Sequence, residues 1–173
     1  MKSLYIENPE KIRKNKLKLE KELNIKITLK GEEIIIDGEA EEEYFAEKII
    51  DALSFGFNFN EAILIKNEDF LFEILDIKEY TKRKDLHSVR ARIIGKGGKV
   101  LKVLNTLTKC ELELNDNRLG VIGPAECIKN AQEAITSLIR GAKHSNVYAF
   151  LEKHQVKPIL DLGLKEKKSK KQR

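Results

Sequence analysis

The residues of this 173-residue chain best suited to chemistry run His87-Ser88-Val89-Arg90-Ala91-Arg92-Ile93-Ile94-Gly95-Lys96-Gly97-Gly98-Lys99-Val100-Leu101. Gly95, Gly97 and Gly98 would each cost roughly 1 kcal/mol inside a helix relative to alanine. They suit a loop whose backbone takes left-handed conformations and comes close to a ligand. A helix up to Ile94, a Gly-Lys-Gly-Gly turn and a second helix from Lys99 through Thr108 fit the pattern. Backbone N–H groups left free at the start of that second helix can face phosphate oxygens. Lys96 and Lys99 add charge to the loop, with Arg90 and Arg92 one turn before it and Lys102 one turn after. The chemistry on offer is an electrostatic grip on phosphate.

Alone, Gly-x-x-Gly is a weak pattern whose default reading is a helix–helix turn. A nucleotide-binding P-loop fits poorly, because that motif places Ser or Thr after its lysine and here Val100 follows Lys99. A dinucleotide fingerprint also fails, since the glycines separate two helices and close no strand–turn–helix unit. His87, His144 and His154 lie far apart without supporting carboxylates and read as surface or capping residues. Cys110 and Cys127 read as small buried side chains. Glu39, Glu41, Glu42 and Glu43 begin a helix, where carboxylates favour the dipole. No catalytic group, metal site or cofactor is therefore expected.

Charge placement agrees with a localised anion-binding surface. The net charge of +5 comes from 33 basic and 28 acidic side chains, and Lys157 to Arg173 alone holds seven basic and two acidic residues. The first 156 residues balance, 26 against 26, but the signs separate within them. Gly31 to Asp51 carries nine acidic residues and one lysine; Lys82 to Lys102 carries eight basic residues and one aspartate. Nucleic acid is the leading partner for such a basic segment. High Lys, Glu and Ile usage, no Trp and three Gln resemble hyperthermophile composition. No apolar run approaches the ~18 residues needed to cross a bilayer, so no membrane partner is expected. Met1 to Asn8 lacks the pattern of a secretory leader, and a cytoplasmic protein is the expectation.

The elements that must position the loop come in two copies, 85 residues apart. Ile27, Leu29, Ile34 and Ile36 fall on Leu112, Leu114, Leu119 and Val121, and Gly38 falls on Gly123. Ala46, Ile50 and Leu53 fall on Ala131, Ile135 and Leu138. Each copy reads as an alternating strand (Ile25 to Leu29; Glu111 to Leu114), a tight turn, a short strand and a long amphipathic helix. Opening strands are expected at Leu4 to Ile6 and Phe70 to Ile77. Between its first two strands the second copy has 14 extra residues, and these fall in the basic segment. The helical stripes read as core. The linker is expected near Gly56 to Glu68, with Glu61 to Ile65 adding a helical turn.

Strand, helix, Gly-x-x-Gly, helix, strand, turn, strand, helix is the order of a type I KH domain, and Arg-Ile-Ile-Gly-Lys-Gly-Gly-Lys at 92–99 resembles that family's signature. The fold class expected is α+β: two tandem type I KH domains, each a three-stranded antiparallel sheet with helices on one face. The boundaries expected are 1–67 for a degenerate domain without the loop, 68–157 for the loop-bearing one, and 158–173 for a basic, disordered tail adding sequence-independent phosphate attraction. KH domains clamp about four nucleotides of single-stranded nucleic acid against this loop. The resemblance implies RNA contacts from Arg90, Arg92, Ile94, Gly95, Lys96, Gly97, Gly98, Lys99 and Lys102. The bases would lie in an apolar groove between Ile94 and the middle strand, Glu111 to Leu114, represented by Leu112 and Glu113, with edge hydrogen bonds reading the bases.

The tandem arrangement, with Leu138-Ile139-Arg140-Gly141-Ala142-Lys143 and Val147-Tyr148 late in the long helix, is similar to the small-subunit ribosome assembly KH factors. Those are the eukaryotic "partner of NOB" proteins and their archaeal homologues. The resemblance covers Leu4 to about Leu151, and the lack of a long N-terminal extension points to an archaeal member. It implies binding near the 3′ end of small-subunit rRNA, help with pre-rRNA maturation beside the NOB endonuclease, and contact with translation initiation factor 2 alpha. Two other classes stay open. One is a KH-fold protein-interaction adaptor with only non-specific nucleic-acid binding. The other is an RNA-processing enzyme, disfavoured because no nucleophile, carboxylate pair or metal cluster is visible.

Overall fold

The computed structural model describes residues 1–155. The basic tail expected at 158–173 lies outside them. The first unit runs β1 (Lys2–Tyr5), α1 (Glu10–Leu23), β2 (Lys26–Lys30), β3 (Glu33–Asp37) and α2 (Ala40–Phe55). The second runs β4 (Phe70–Asp76), a short α4 (Ile77–Tyr80), α5 (Leu86–Ile94), α6 (Lys99–Thr108), β5 (Glu111–Asn115), β6 (Arg118–Pro124), α7 (Ala125–Ile139) and α8 (His144–Lys153). Between the units lie α3 (Phe59–Ala62) and a 3₁₀ turn at Ile63–Lys66.

Both sheets are antiparallel, with the last strand in the centre: β1-β3-β2 and β4-β6-β5. The registers repeat as the 85-residue offset requires, Ile27 pairing with Ile36 and Leu112 with Val121. Ala46, Ile49, Ile50 and Leu53 of α2 are fully buried, and their counterparts Ala131, Ala134, Ile135 and Leu138 of α7 are buried likewise. In the first unit α1 is one unbroken helix of 14 residues where the second has α5, a glycine turn and α6. Its sequence contains no glycine and is rich in Lys, Glu and Leu, so nothing interrupts it before Asn24 turns left-handed at φ 54°.

Several boundaries differ from expectation, β2 being Lys26–Lys30 and β5 Glu111–Asn115. β1 is Lys2–Tyr5. Ile77 leaves its strand to open α4, because the Asp76 side chain caps that turn through the Lys78 N–H. The long last helix is two: Gly141 sits at φ 103°, and the Ala142 N–H turns back to the Ser137 carbonyl. That glycine ends α7 in a conformation other residues rarely take, and α8 folds back over the same core through Val147 and Leu151.

The segment between the units is a packing element. Phe57, Ala62 and Ile65 are buried, together with Phe55 at the end of α2. They cover the outer face of the second sheet, where Phe72 and Ile122 join the same cluster. Phe55, Phe57 and Phe72 form a triad of rings with centroids 5.8–6.0 Å apart. The central strand makes room with Gly120, where a Cβ would stand 2.7 Å from ring atoms of both Phe55 and Phe57. The second sheet therefore has helices α4 to α8 on one face and the first unit on the other.

Cys110 and Cys127 are free and buried. Burial pushes the Cys110 thiol up to about 12. A disulfide-exchange reagent at pH 8 should leave both thiols unmodified in the folded chain and modify both after denaturation; rapid reaction under native conditions would contradict the packing. The folded thiol is held above its ordinary value of 9.0, so its contribution to stability is complete below that pH and is lost as pH rises toward 12.

Candidate nucleic-acid interface

α5 is capped by Asp85, whose side chain accepts from the Ser88 N–H, and its Val89 and Ile93 are buried one turn apart. That spacing turns His87, Arg90, Ala91 and Ile94 outward. Together with Gly95 and Lys96 they line a shallow depression of about 550 Å³. Ile94 is 38% exposed on its wall, an apolar surface without a partner beside a cationic loop.

Gly95 (φ 72°), Gly97 (φ 62°) and Gly98 (φ 74°) all have positive φ. At Gly95 a Cβ would stand 2.3 Å from Val100 Cγ2 and 2.9 Å from the Val100 nitrogen, so the turn closes against the first turn of α6. At Gly97 and Gly98 a Cβ would meet nothing within 4 Å; there the open space faces solvent. The N–H groups of Gly95, Gly98 and Lys99 are used inside the turn, on the carbonyls of Ala91, Gly95 and Lys96. Those of Lys96 and Gly97 have no backbone acceptor among the described residues. Lys96 and Lys99 are exposed on either side, and Lys102 is exposed one turn along α6. Such a turn can hold a phosphodiester between amide donors and two ammonium groups, with a base against Ile94.

The other expected residues are placed differently. Arg90 is tied back to the β5–β6 turn, its Nη1 donating to Asn117 Oδ1 at 2.8 Å and lying 3.3 Å from Asp116 Oδ1. It still borders the depression. Arg92 is corrected: its Nη2 donates to the Ala142 carbonyl and its Nε is buried without a partner, so the side chain braces the α7–α8 corner. His144 Nε2 lies 2.9 Å from the Arg92 carbonyl and donates to it, closing the same brace from the other side. The Leu112 side chain is 4% exposed and part of the core, so only its backbone can meet a ligand. Strand alternation turns its backbone N–H and C=O to the open edge of the sheet, the orientation that edge hydrogen bonds to a base require. Glu113 is corrected too. It faces the first unit against Gly56, and burial and the neighbouring Glu61 push its carboxyl up, with Lys11 opposing. Charge counts could not separate these tied residues from free ones. His87 and Ala91 were missed, although their spacing to Ile94 was visible in the sequence.

A larger cleft of about 710 Å³ lies between the units, bordered by Tyr5, Lys48, Asp51, Phe55 and Arg118. It mixes both charge signs and has no glycine turn. Among the described residues no helix is long and apolar enough to cross a membrane.

Residues 71–156 match the family model described as a eukaryotic type KH-domain (KH-domain type I), in its PNO1 second-domain form. A KH domain-containing protein of Methanocaldococcus jannaschii is 29% identical over 146 residues, 80% of this chain and 64% of that protein. The pre-rRNA-processing protein pno1 of Emericella nidulans is 30% identical over 144 residues, 79% of this chain and 55% of that protein. The chain thus spans 64% and 55% of the length of these two curated relatives. Among solved structures, Dim2p from Pyrococcus horikoshii OT3 superposes with a TM-score of 0.77 at 26% identity, over 88% of this chain and 99% of that one. The same score, at 25% identity, relates it to a chain in the a/eIF2alpha-aDim2p-rRNA complex from that organism, covering 88% and 92%. Residues 71–156 thus form a type I KH domain of the PNO1 second-domain kind, and the chain as a whole, with its repeated sheet order and one Gly-Lys-Gly-Gly turn, is similar to the PNO1 and Dim2p proteins.

Proposed function

We propose that this chain is a non-enzymatic single-stranded RNA-binding protein of small ribosomal subunit assembly. Its second domain, residues 68–157, holds RNA near the 3′ end of the small-subunit rRNA, and its first, residues 1–67, supports and orients that domain. The observation that carries this reading is the turn at Gly95 to Lys99. It combines three left-handed glycines, two N–H groups without a backbone acceptor among the described residues and two exposed lysines beside the apolar wall of Ile94. An aDim2p–rRNA complex in a related structure and a pre-rRNA-processing name among the relatives support the substrate class. In this reading the protein presents pre-rRNA to a NOB-type endonuclease and also meets translation initiation factor 2 alpha, the partner in that complex.

Titration with a short single-stranded RNA matching the 3′ end of small-subunit rRNA, against a scrambled competitor and at several salt concentrations, tests the reading. Tight binding that survives the competitor and added salt is expected. Binding indifferent to sequence and abolished by salt would assign the affinity to loose phosphate attraction and favour a protein-interaction adaptor.

A further inference from the structure

A second cluster of cations stands behind the glycine turn, at the α7–α8 corner. Lys82, Arg83 and Lys84 precede α5, Arg140 and Lys143 flank Gly141, and all five are exposed. The Arg83 guanidinium lies over Gly141, with Nη2 3.3 Å from where a Cβ would stand, which brings the two segments together. The Arg92 brace to Ala142 fixes the corner against the last turn of α5, three residues from Gly95.

None of these five cations forms an ion pair among the described residues. Asp85, the nearest carboxylate in sequence, is occupied by the Ser88 N–H and hydroxyl. Nor does the fold explain the charge locally. Arg140 suits the C-terminus of α7, but Lys82 to Lys84 precede the N-terminus of α5 and Lys143 precedes that of α8, where positive charge opposes the helix dipole. Mutually repelling cations placed against two dipoles gain most from a polyanion.

We propose that this corner is a second phosphate-binding surface, which holds the RNA backbone beyond the nucleotides in the glycine-turn groove. The proposal rests on the RNA-binding reading and adds a contact sensitive to RNA length. A four-nucleotide RNA is filled by the groove alone; a 20-nucleotide strand containing it also reaches the corner.

The test compares the full chain with a variant carrying Lys82→Gln, Lys84→Gln, Arg140→Gln and Lys143→Gln, leaving Arg83 to pack on Gly141. Each lost contact should lower the salt slope of single-strand binding by about 0.7, so the 20-mer slope should fall by up to roughly 3, with about tenfold weaker binding at low salt. Tetranucleotide binding, followed by amide chemical shifts at Lys96 and Gly97, should be unchanged. An unchanged 20-mer slope would overturn the proposal. Equal loss on both RNAs would also overturn it, by showing action through the groove. If the unaltered chain bound neither RNA, the RNA-binding reading itself would fail and this surface with it.

Discussion

Replacing Lys96 and Gly97 together with aspartate should weaken binding of a short single-stranded RNA about 100-fold, which is ~2.7 kcal/mol. The double change converts one ammonium into a carboxylate and adds a second carboxylate where a phosphate is expected to sit. Both positions are exposed, and a Cβ at Gly97 meets nothing within 4 Å. Aspartate is among the residues that tolerate left-handed backbone, so φ 62° is a small obstacle and the circular dichroism spectrum should not change. Charge reversal at Lys14 and Lys16 on the unbroken α1 should cost much less. Unchanged affinity in the loop variant, with the fold verified, would remove the turn as the clamp.

Truncating Phe57 to alanine should destabilise the protein by about 3–5 kcal/mol, the range for a large aromatic removed from a packed interior. Phe57 is fully buried and packs across the boundary, against Phe55 on one side and Phe72 and Gly120 on the other. Equilibrium urea unfolding followed by circular dichroism would give the loss as a lower midpoint. Because the ring belongs to both halves, the variant should also begin to unfold in two separate steps. A loss below about 1 kcal/mol would mean that the sheet face is covered without this ring.

The repeat, the order of strands and the glycine turn were legible because each rests on local rules. Period-two alternation marks β5, helical spacing marks α2 and α7, and no helix easily accepts three glycines in four residues. What lies on each side of a sheet is not local. Leu119 to Gly123 is buried at every position, so the central strand is covered on both faces, yet the sequence does not say by what. The covering residues, Phe57 to Ile65, look like a linker by position. The same limit applied to Arg92 and Glu113. Whether a basic or acidic side chain is free depends on a carbonyl at Ala142 or a glycine at position 56, residues far away in sequence. The break at Gly141 was signalled by its glycine, but the apolar stripe continuing through Val147 and Leu151 hid it.

The first unit has no Gly-x-x-Gly turn, and a copy without that feature would ordinarily be free to decay. Here it is not. Phe55, Phe57 and Ile65 are the cover of the other copy's sheet, so deleting the first unit would expose Phe70, Phe72 and Ile122 on a strand-rich surface prone to self-association. Selection on the Gly95 to Lys99 turn of one copy would therefore fall on the apolar positions of its twin as well. Changes in that twin should be tolerated on its solvent-facing helical surfaces and purged where it touches its sibling.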